Sequence, residues 1–217
     1  MLKPELTNLS SPRLPAADAI SAGNDFAKKT DFKIWQEFKL GSEIAFIHIY
    51  NKYFNVLYRY ASQFCKDRNH IKDTIQDLFI ELLRKREKLS NTSSIKFYLF
   101  KSLKTAIIHK IKREKIDYRH DMEGFNFDMT ISVEDKIINA QIDDEKKQQI
   151  QLGLAKMKKK QREIIYYYYF EDLEINQIAA LMNFSNTKSA QNLLYRSLGI
   201  LKNHLQIIFV LLQFNFI

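Results

Sequence analysis

INQIAALMNFSNTKSAQNLLYRSLGIL, residues 175–201, reads as two short amphipathic helices joined by a tight polar turn. Ile175, Ile178, Ala179 and Met182 stand at relative positions 0, 3, 4 and 7, which puts them on one helical face. Glu174 and Gln177 have the spacing of a weak capping box ahead of it. Asn183, Ser185, Asn186 and Thr187 then compete for backbone hydrogen bonds and end the helix. The second helix turns Ala190, Leu193, Leu194, Ser197, Leu198 and Leu201 inward, leaving Lys188, Ser189, Gln191, Asn192, Tyr195 and Arg196 outward.

A hairpin of this shape fits a DNA major groove. Gln and Asn pair bidentately with adenine, Arg pairs with guanine, and Ser or Lys can hold phosphates, so the outward set suits a recognition helix. The pattern equally suits an ordinary helical corner, because shape alone is a fold-level hint. Composition bears on the choice. The chain has 217 residues, enough for one large or two small cores, with formal charge +9 and pI about 9.4. That balance favours nucleic acid, and an anionic membrane surface would be served by the same charge.

One cysteine, Cys65, excludes an intramolecular disulfide and a multi-cysteine zinc site, fits a reducing compartment, and is expected as a small core residue. The N-terminal stretch lacks a basic segment followed by an apolar run, so no secretory signal is read, and no stretch reaches the roughly 18 apolar residues of a spanning helix. All three prolines precede residue 16, and glycines number five, so the rest should be almost entirely helical.

Charge and period divide the chain. Residues 1–30 lack periodicity and read as a disordered or loosely packed tail. Residues 31–116 read as about four helices, with breaks near Gly41-Ser42, Asp67-Arg68-Asn69 and Ser90–Ser94. Residues 117–146 form an acidic linker: between Asp117 and Glu145 nine acids face two strong bases, Arg119 and Lys136. Periodicity returns over 147–204, and the tail 205–217 has ten apolar residues in thirteen. The expected fold is all-α, an N-terminal helical bundle and a C-terminal helix-turn-helix domain joined by the linker.

Two stretches of the first domain carry chemistry. IKDTIQDLFIELL, residues 71–83, sets Ile71, Ile75, Leu78, Phe79, Leu82 and Leu83 on a core face, with Asp73, Gln76, Asp77 and Ile80 opposite. The polar stripe suits a docking surface, although a solvated helix face looks the same. Acid/base catalysis is not supported, since no nucleophile or pocket signature accompanies the carboxylates. IKFYLFKSLKTAIIHKIKREK, residues 95–115, buries Leu99, Leu103, Ala106, Ile107 and Ile111 and leaves Lys101, Lys104, Thr105, Ile108 and Lys112 as a largely basic stripe. Phe97, Tyr98 and Phe100 head this helix, at least one of them in the core. Rings beside cations are what single-stranded DNA binding needs, because bases stack at roughly 1–3 kcal/mol each while phosphates meet lysines.

The order of DTIQDLFIELL, a loop, SIKFYLFKSLKTAIIHKIKR, an acidic linker and KKKQREIIYYYYFEDLEINQIAALMNFSNTKSAQNLLYRSL resembles extracytoplasmic-function sigma factors of bacterial RNA polymerase. The resemblance covers about residues 38–204, including AFIHIYNKYFNVLYRYASQF, and SAQNLLYRSL is nearest to the Bacteroides-like group. It implies a non-enzymatic specificity subunit without cofactor, metal or small-molecule substrate, whose partners are core RNA polymerase, promoter DNA and a membrane-anchored anti-sigma factor. By position, Asp73, Gln76, Asp77, Ile80 and Glu81 match the polymerase-docking helix. Lys96, Tyr98, Lys101, Lys104, Thr105 and Lys112 match the segment that captures the melted minus-ten strand. Lys188, Ser189, Gln191, Asn192, Tyr195 and Arg196 match the reader of the minus-thirty-five duplex.

The chain departs from the family pattern in places. Tyr98 stands where Trp is common, Lys104-Thr105 where Arg-Asn is usual, Met157-Lys158 for Leu-Pro, and Glu174 for a Ser or Thr cap; the turn from Met182 to Ala190 is one residue longer. Half of the run Tyr166 to Phe170 should be core. His48, His70, His109, His120 and His204 show no ligand spacing. The resemblance places the chain in the cytoplasm, held near the inner membrane where an anti-sigma partner binds it. Two other classes stay open on the hairpin alone: a stand-alone helix-turn-helix regulator and a metal-dependent nucleic-acid enzyme. The regulator has no need of two chemically striped helices ahead of its reader, and the enzyme lacks an acidic-histidine cluster.

Overall fold

The computed structural model describes residues 29–116, Phe127 and 144–214. The tail before Lys29, residues 215–217 and most of the acidic linker lie outside the described residues, as does the side chain of Lys112. Every element among the described residues is helical: α1 (Asp31–Lys39), α2 (Glu43–Ser62), α3 (Arg68–Lys85) with a 3-10 turn (Arg86–Lys88), α4 (Ile95–Ile116), α5 (Asp144–Ala155), α6 (Lys159–Ile165), a π-helical turn (Tyr166–Phe170), α7 (Ile175–Leu181) and α8 (Thr187–Phe214). None is both long and apolar enough to cross a membrane.

Local chemistry sets the boundaries. Ser42 Oγ accepts from Ala45 N at 3.2 Å and Asp67 accepts from Asn69 N and His70 N at 2.9 and 3.1 Å, capping α2 and α3. Gly41, at φ 97°, makes the α1–α2 corner in a backbone region that a Cβ would strain. Asn186 Oδ1 accepts from Ser189 N at 2.8 Å and so starts α8. Gln177 Oε1 accepts from Glu174 N at 3.2 Å, the reciprocal half of the expected capping box.

One cap spans the bundle. Asp31, the first residue of α1, accepts from Ile95 N at 2.9 Å at the start of α4 and from Tyr53 Oη at 3.2 Å. Burial, followed by the Asp31 charge and this hydrogen bond, pushes the Tyr53 hydroxyl well above its ordinary pKa. Asp31→Ala should lower stability by about 1–2 kcal/mol, the loss of a cap and of a buried hydroxyl's partner. A urea midpoint equal to wild type would contradict this assignment.

The first bundle closes around Trp35, Phe38, Leu57, Ile75, Leu99 and Leu103, all buried. Leu83, expected in the core, is 38 % exposed. It lies about 100° round the helix from buried Leu82, so the apolar arc of α3 is narrower than its sequence suggests. Cys65 is half-buried rather than fully in the core. In the second half Ile178, Leu181, Ala190 and Leu194 pack the hairpin, while Leu154, Met157 and Ile165 form a separate small cluster with Ile200 and Leu201. The main core runs without interruption from the first bundle into the hairpin.

Candidate nucleic-acid interface

Between α3 and α4 lies an open groove of about 1230 Å³, and it gathers residues from both chemically marked helices. Asp77, Ile80 and Glu81 come from α3, Tyr98, Lys101 and Thr105 from α4, and Leu89–Thr92 close one end. Asp73, Gln76, Asp77 and Ile80 are exposed on the outer face of α3, Ile80 at 54 %. Glu81 differs from them: Arg84 donates to it through Nη2 at 2.7 Å and Nε at 2.9 Å, and Lys85 also pairs with it. These hydrogen bonds hold its carboxyl down to about 2, so its charge is already met within its own helix.

Tyr98 does not stand free. Its ring lies 4.9 Å from that of Trp35, whose Nε1 donates to Ser90 O at 2.9 Å, so one buried indole braces both the aromatic and the loop at the groove's end. Phe100 is the core member of the three aromatics, stacked 4.1 Å from Tyr60 at an interplanar angle of 1°.

The six α4 positions do not share one face. At about 100° per residue, Tyr98, Lys101, Thr105 and Lys112 fall within about 60° of one another, Lys104 lies about 60° beyond Lys101 at the edge of this arc, and Lys96 lies on the far side. Lys101 and Thr105 are exposed. Lys104 Nζ instead donates to Glu163 Oε1 at 2.6 Å and to Leu181 O at 2.8 Å. Lys96 Nζ donates to Glu171 O at 2.6 Å and sits 2.7 Å from Glu171 Oε2. The expected basic stripe is therefore corrected: half its lysines with described side chains and Lys96 beside them face the second half of the chain.

That contact has a built interior. Tyr60 Oη and Tyr167 Oη are 2.8 Å apart, Tyr167 Oη donates to Glu163 Oε1 at 3.0 Å, and Tyr166 Oη donates to Glu171 Oε1 at 2.7 Å. Phe127, from the acidic stretch, is fully buried between Phe64 at 5.3 Å and Tyr166 at 5.4 Å, and Arg162 Nη2 donates to its carbonyl at 3.2 Å. The tyrosine run divides as its π-helical turn dictates: Tyr166 and Tyr167 are buried, Tyr168 and Tyr169 exposed. Burial is the first cause that pushes the hydroxyls of Tyr60 and Tyr167 far up, so both stay protonated donors. The sequence reading missed Tyr60, Phe127, Glu163 and Glu171; an aromatic pair within an acidic stretch, Phe125 and Phe127, was the available signal.

On α8, Lys188, Gln191, Asn192, Tyr195 and Arg196 are exposed, Tyr195 at 69 %. Ser189 is committed to the helix start, its Oγ donating to Asn186 Oδ1 at 3.0 Å, which takes it from the set of free phosphate contacts. Ala190, Leu194 and Ser197 are buried on the opposite side. Among the described residues no group of three or more His, Cys, Asp or Glu side chains could hold a metal ion.

The described residues are thus helical throughout their elements, with exposed carboxylates on α3, a ring beside a lysine on α4 and an exposed polar face on α8. Residues 49–116 match the family model of sigma-70 region 2, and residues 147–201 match that of sigma-70 region 4. Together these cover more than half the chain, which belongs to the sigma-70 family: it is an RNA polymerase sigma factor, with core RNA polymerase and promoter DNA as partners. Among solved structures, it is similar to CnrH in complex with the cytosolic domain of CnrY at 14% identity, over 82% of this chain and 99% of that one, with TM-score 0.53. It is also similar to RpoE in complex with the anti-sigma factor NepR from Bartonella quintana at 17% identity, over 75% and 97%, with TM-score 0.53. At these identities the likeness is one of fold. No curated protein sequence matches the chain.

Proposed function

We propose that the chain works as an extracytoplasmic-function sigma factor with its two DNA-reading surfaces on separate halves. Residues 31–116 dock on core polymerase and hold the melted minus-ten strand, residues 147–204 read the minus-thirty-five duplex, and residues 117–146 tether them. The observation that carries this is the α3–α4 groove, which joins the exposed Asp77 and Ile80 to Tyr98, Lys101 and Thr105 along one opening. Carboxylates and an exposed isoleucine suit a protein partner, while a ring beside a lysine suits a nucleotide. Asp73 and Gln76 extend the docking face outside the groove, and Lys112 extends the strand side.

Melting is then driven by binding energy, so the chain needs no catalytic residue, cofactor or nucleotide hydrolysis. Residues 1–30 and 205–217 lie outside the two reading units. The similar RpoE structure was solved with an anti-sigma factor, which supports an anti-sigma partner here; the apolar tail 205–217 is the natural segment for it, and the chain works in the cytoplasm, near the inner membrane when so held. SAQNLLYRSL supports a Bacteroides-like subgroup.

The two readings separate by mutation. Arg196→Ala should weaken binding of the polymerase holoenzyme to promoter duplex by about 1–3 kcal/mol if Arg196 reads a base, with the loss concentrated at one position of the upstream element. Lys101→Ala should leave duplex binding intact and lower affinity for a pre-melted template. Equal losses on all sequences for Arg196→Ala would mark a phosphate contact; no loss for either variant would remove both surfaces from the account.

A further inference from the structure

His109 lines the α3–α4 groove and is exposed, yet it belongs to neither the docking set nor the strand set. At about 100° per residue it falls about 20° round α4 from Tyr98 and about 40° from Thr105, one turn further along the same face. At about 1.5 Å of rise per residue it stands about 16 Å past Tyr98. A strand whose base rests on Tyr98 and whose phosphate meets Lys101 would run on toward this imidazole. The next residue, Lys110, is drawn the other way: its Nζ donates to Thr74 Oγ1 of α3 at 3.5 Å.

We infer that His109 is a further contact for the melted strand, and that its proton makes strand capture tighten as the medium turns acidic. The inference rests on the strand-holding reading of the groove and adds a residue and a regulation to it. Histidine is the side chain whose charge ordinarily changes between about pH 5 and 8, and no other residue type lining the groove shares that range. Phosphodiesters stay anionic throughout it. The charges facing the imidazole are Asp77, Glu81 and Lys85 from α3 and Lys101 and Lys110 from α4. Glu81 and Lys85 pair with each other, and Lys110 is tied to Thr74. Among the described residues Lys101 and Asp77 carry no such pairing, and they are of opposite sign. The groove is therefore close to balanced, and a proton on His109 tips it toward a polyanion.

The test uses the full-length chain assembled with core polymerase, and a rhodamine-labelled template with a pre-melted bubble, whose binding is followed by anisotropy between about pH 6 and about pH 8. Wild type is compared with His109→Gln, which is neutral at every pH, and with His109→Lys, which stays cationic. The ratio of wild-type to His109→Gln affinity is expected to rise at least about threefold from about pH 8 to about pH 6, because one more phosphate is neutralised. The same contact should steepen the wild-type slope of log affinity against log salt by about 0.7 at the acid end, the share of one single-strand phosphate. His109→Lys should hold the tighter binding at about pH 8 as well. Comparison at each pH removes whatever pH dependence the polymerase itself brings. A ratio that stays constant with pH, in variants that retain helical circular dichroism, would overturn the proposal, as it would if the imidazolium turned to Asp77 instead of a phosphate. Lys101→Ala is run beside them. If it weakens binding while the ratio stays constant, His109 alone is removed and the groove keeps its strand; if it has no effect, the groove reading falls and the proposal with it.

Discussion

Asp73→Arg combined with Asp77→Arg is expected to abolish co-purification with core RNA polymerase while leaving the helical fold intact. Both side chains are exposed on α3, one turn apart, beside exposed Ile80. Reversing them costs the bundle little, because exposed charges contribute of the order of 1 kcal/mol or less. At an interface the effect is larger: charged contacts that become desolvated on binding are each worth about 2–5 kcal/mol when broken, and like charges brought together add repulsion. Two reversals should therefore weaken binding by a hundredfold or more, about 2.7 kcal/mol or above. Glu81→Gln should do much less, since Arg84 and Lys85 already satisfy that carboxylate. Pull-down with wild-type affinity by the double variant would remove α3 as the docking helix.

Trp35→Ala carries the largest expected loss of stability. The indole is fully buried, packs 5.4 Å from Phe38 and 4.9 Å from Tyr98, and donates to Ser90 O. Truncating such a side chain leaves a cavity and costs about 3–5 kcal/mol. The loss also has a local consequence, because Ser90 and Tyr98 border the groove. Trp35→Phe separates the two effects. It keeps an aromatic ring in the core and deletes the donor, so it should cost only about 1 kcal/mol while loosening the loop. Thermal denaturation reads the first effect and affinity for pre-melted template the second. A Trp35→Ala midpoint within a degree or two of wild type would contradict the packing described here.

The hairpin was legible because its apolar residues repeat at helical spacing on both sides of a polar turn, and the structure places Ile178, Ala179, Ala190 and Leu194 inside accordingly. The breaks at Gly41-Ser42 and Asp67 were legible for a similar reason: glycine and short polar side chains do one local job, and that job can be read without the rest of the fold. Lys96 and Lys104 were not legible in this way. Periodicity says which residues share a face but not what that face meets, and a lysine turned toward solvent and one turned toward Glu163 carry the same local pattern. Asp31 is a further case, since its partner Ile95 N lies 64 residues away and no short-range spacing connects them. The tyrosine run was ambiguous because its geometry is π-helical, so an ordinary helical wheel cannot sort its buried members from its exposed ones. Ser189, outward by period, is drawn into the cap by Asn186, which local turn chemistry already allowed.

The most direct test of the account is transcription in vitro from a fragmented genomic library by core RNA polymerase, with and without the purified chain, reading the 5′ ends of the transcripts. The account predicts new start sites that need both components and share two upstream elements at a fixed separation, recognition of the nearer one lost to Lys101→Ala and of the farther one to Arg196→Ala. No new start sites, with tight sequence-specific duplex binding by the chain alone, would contradict it and assign the hairpin to a stand-alone regulator.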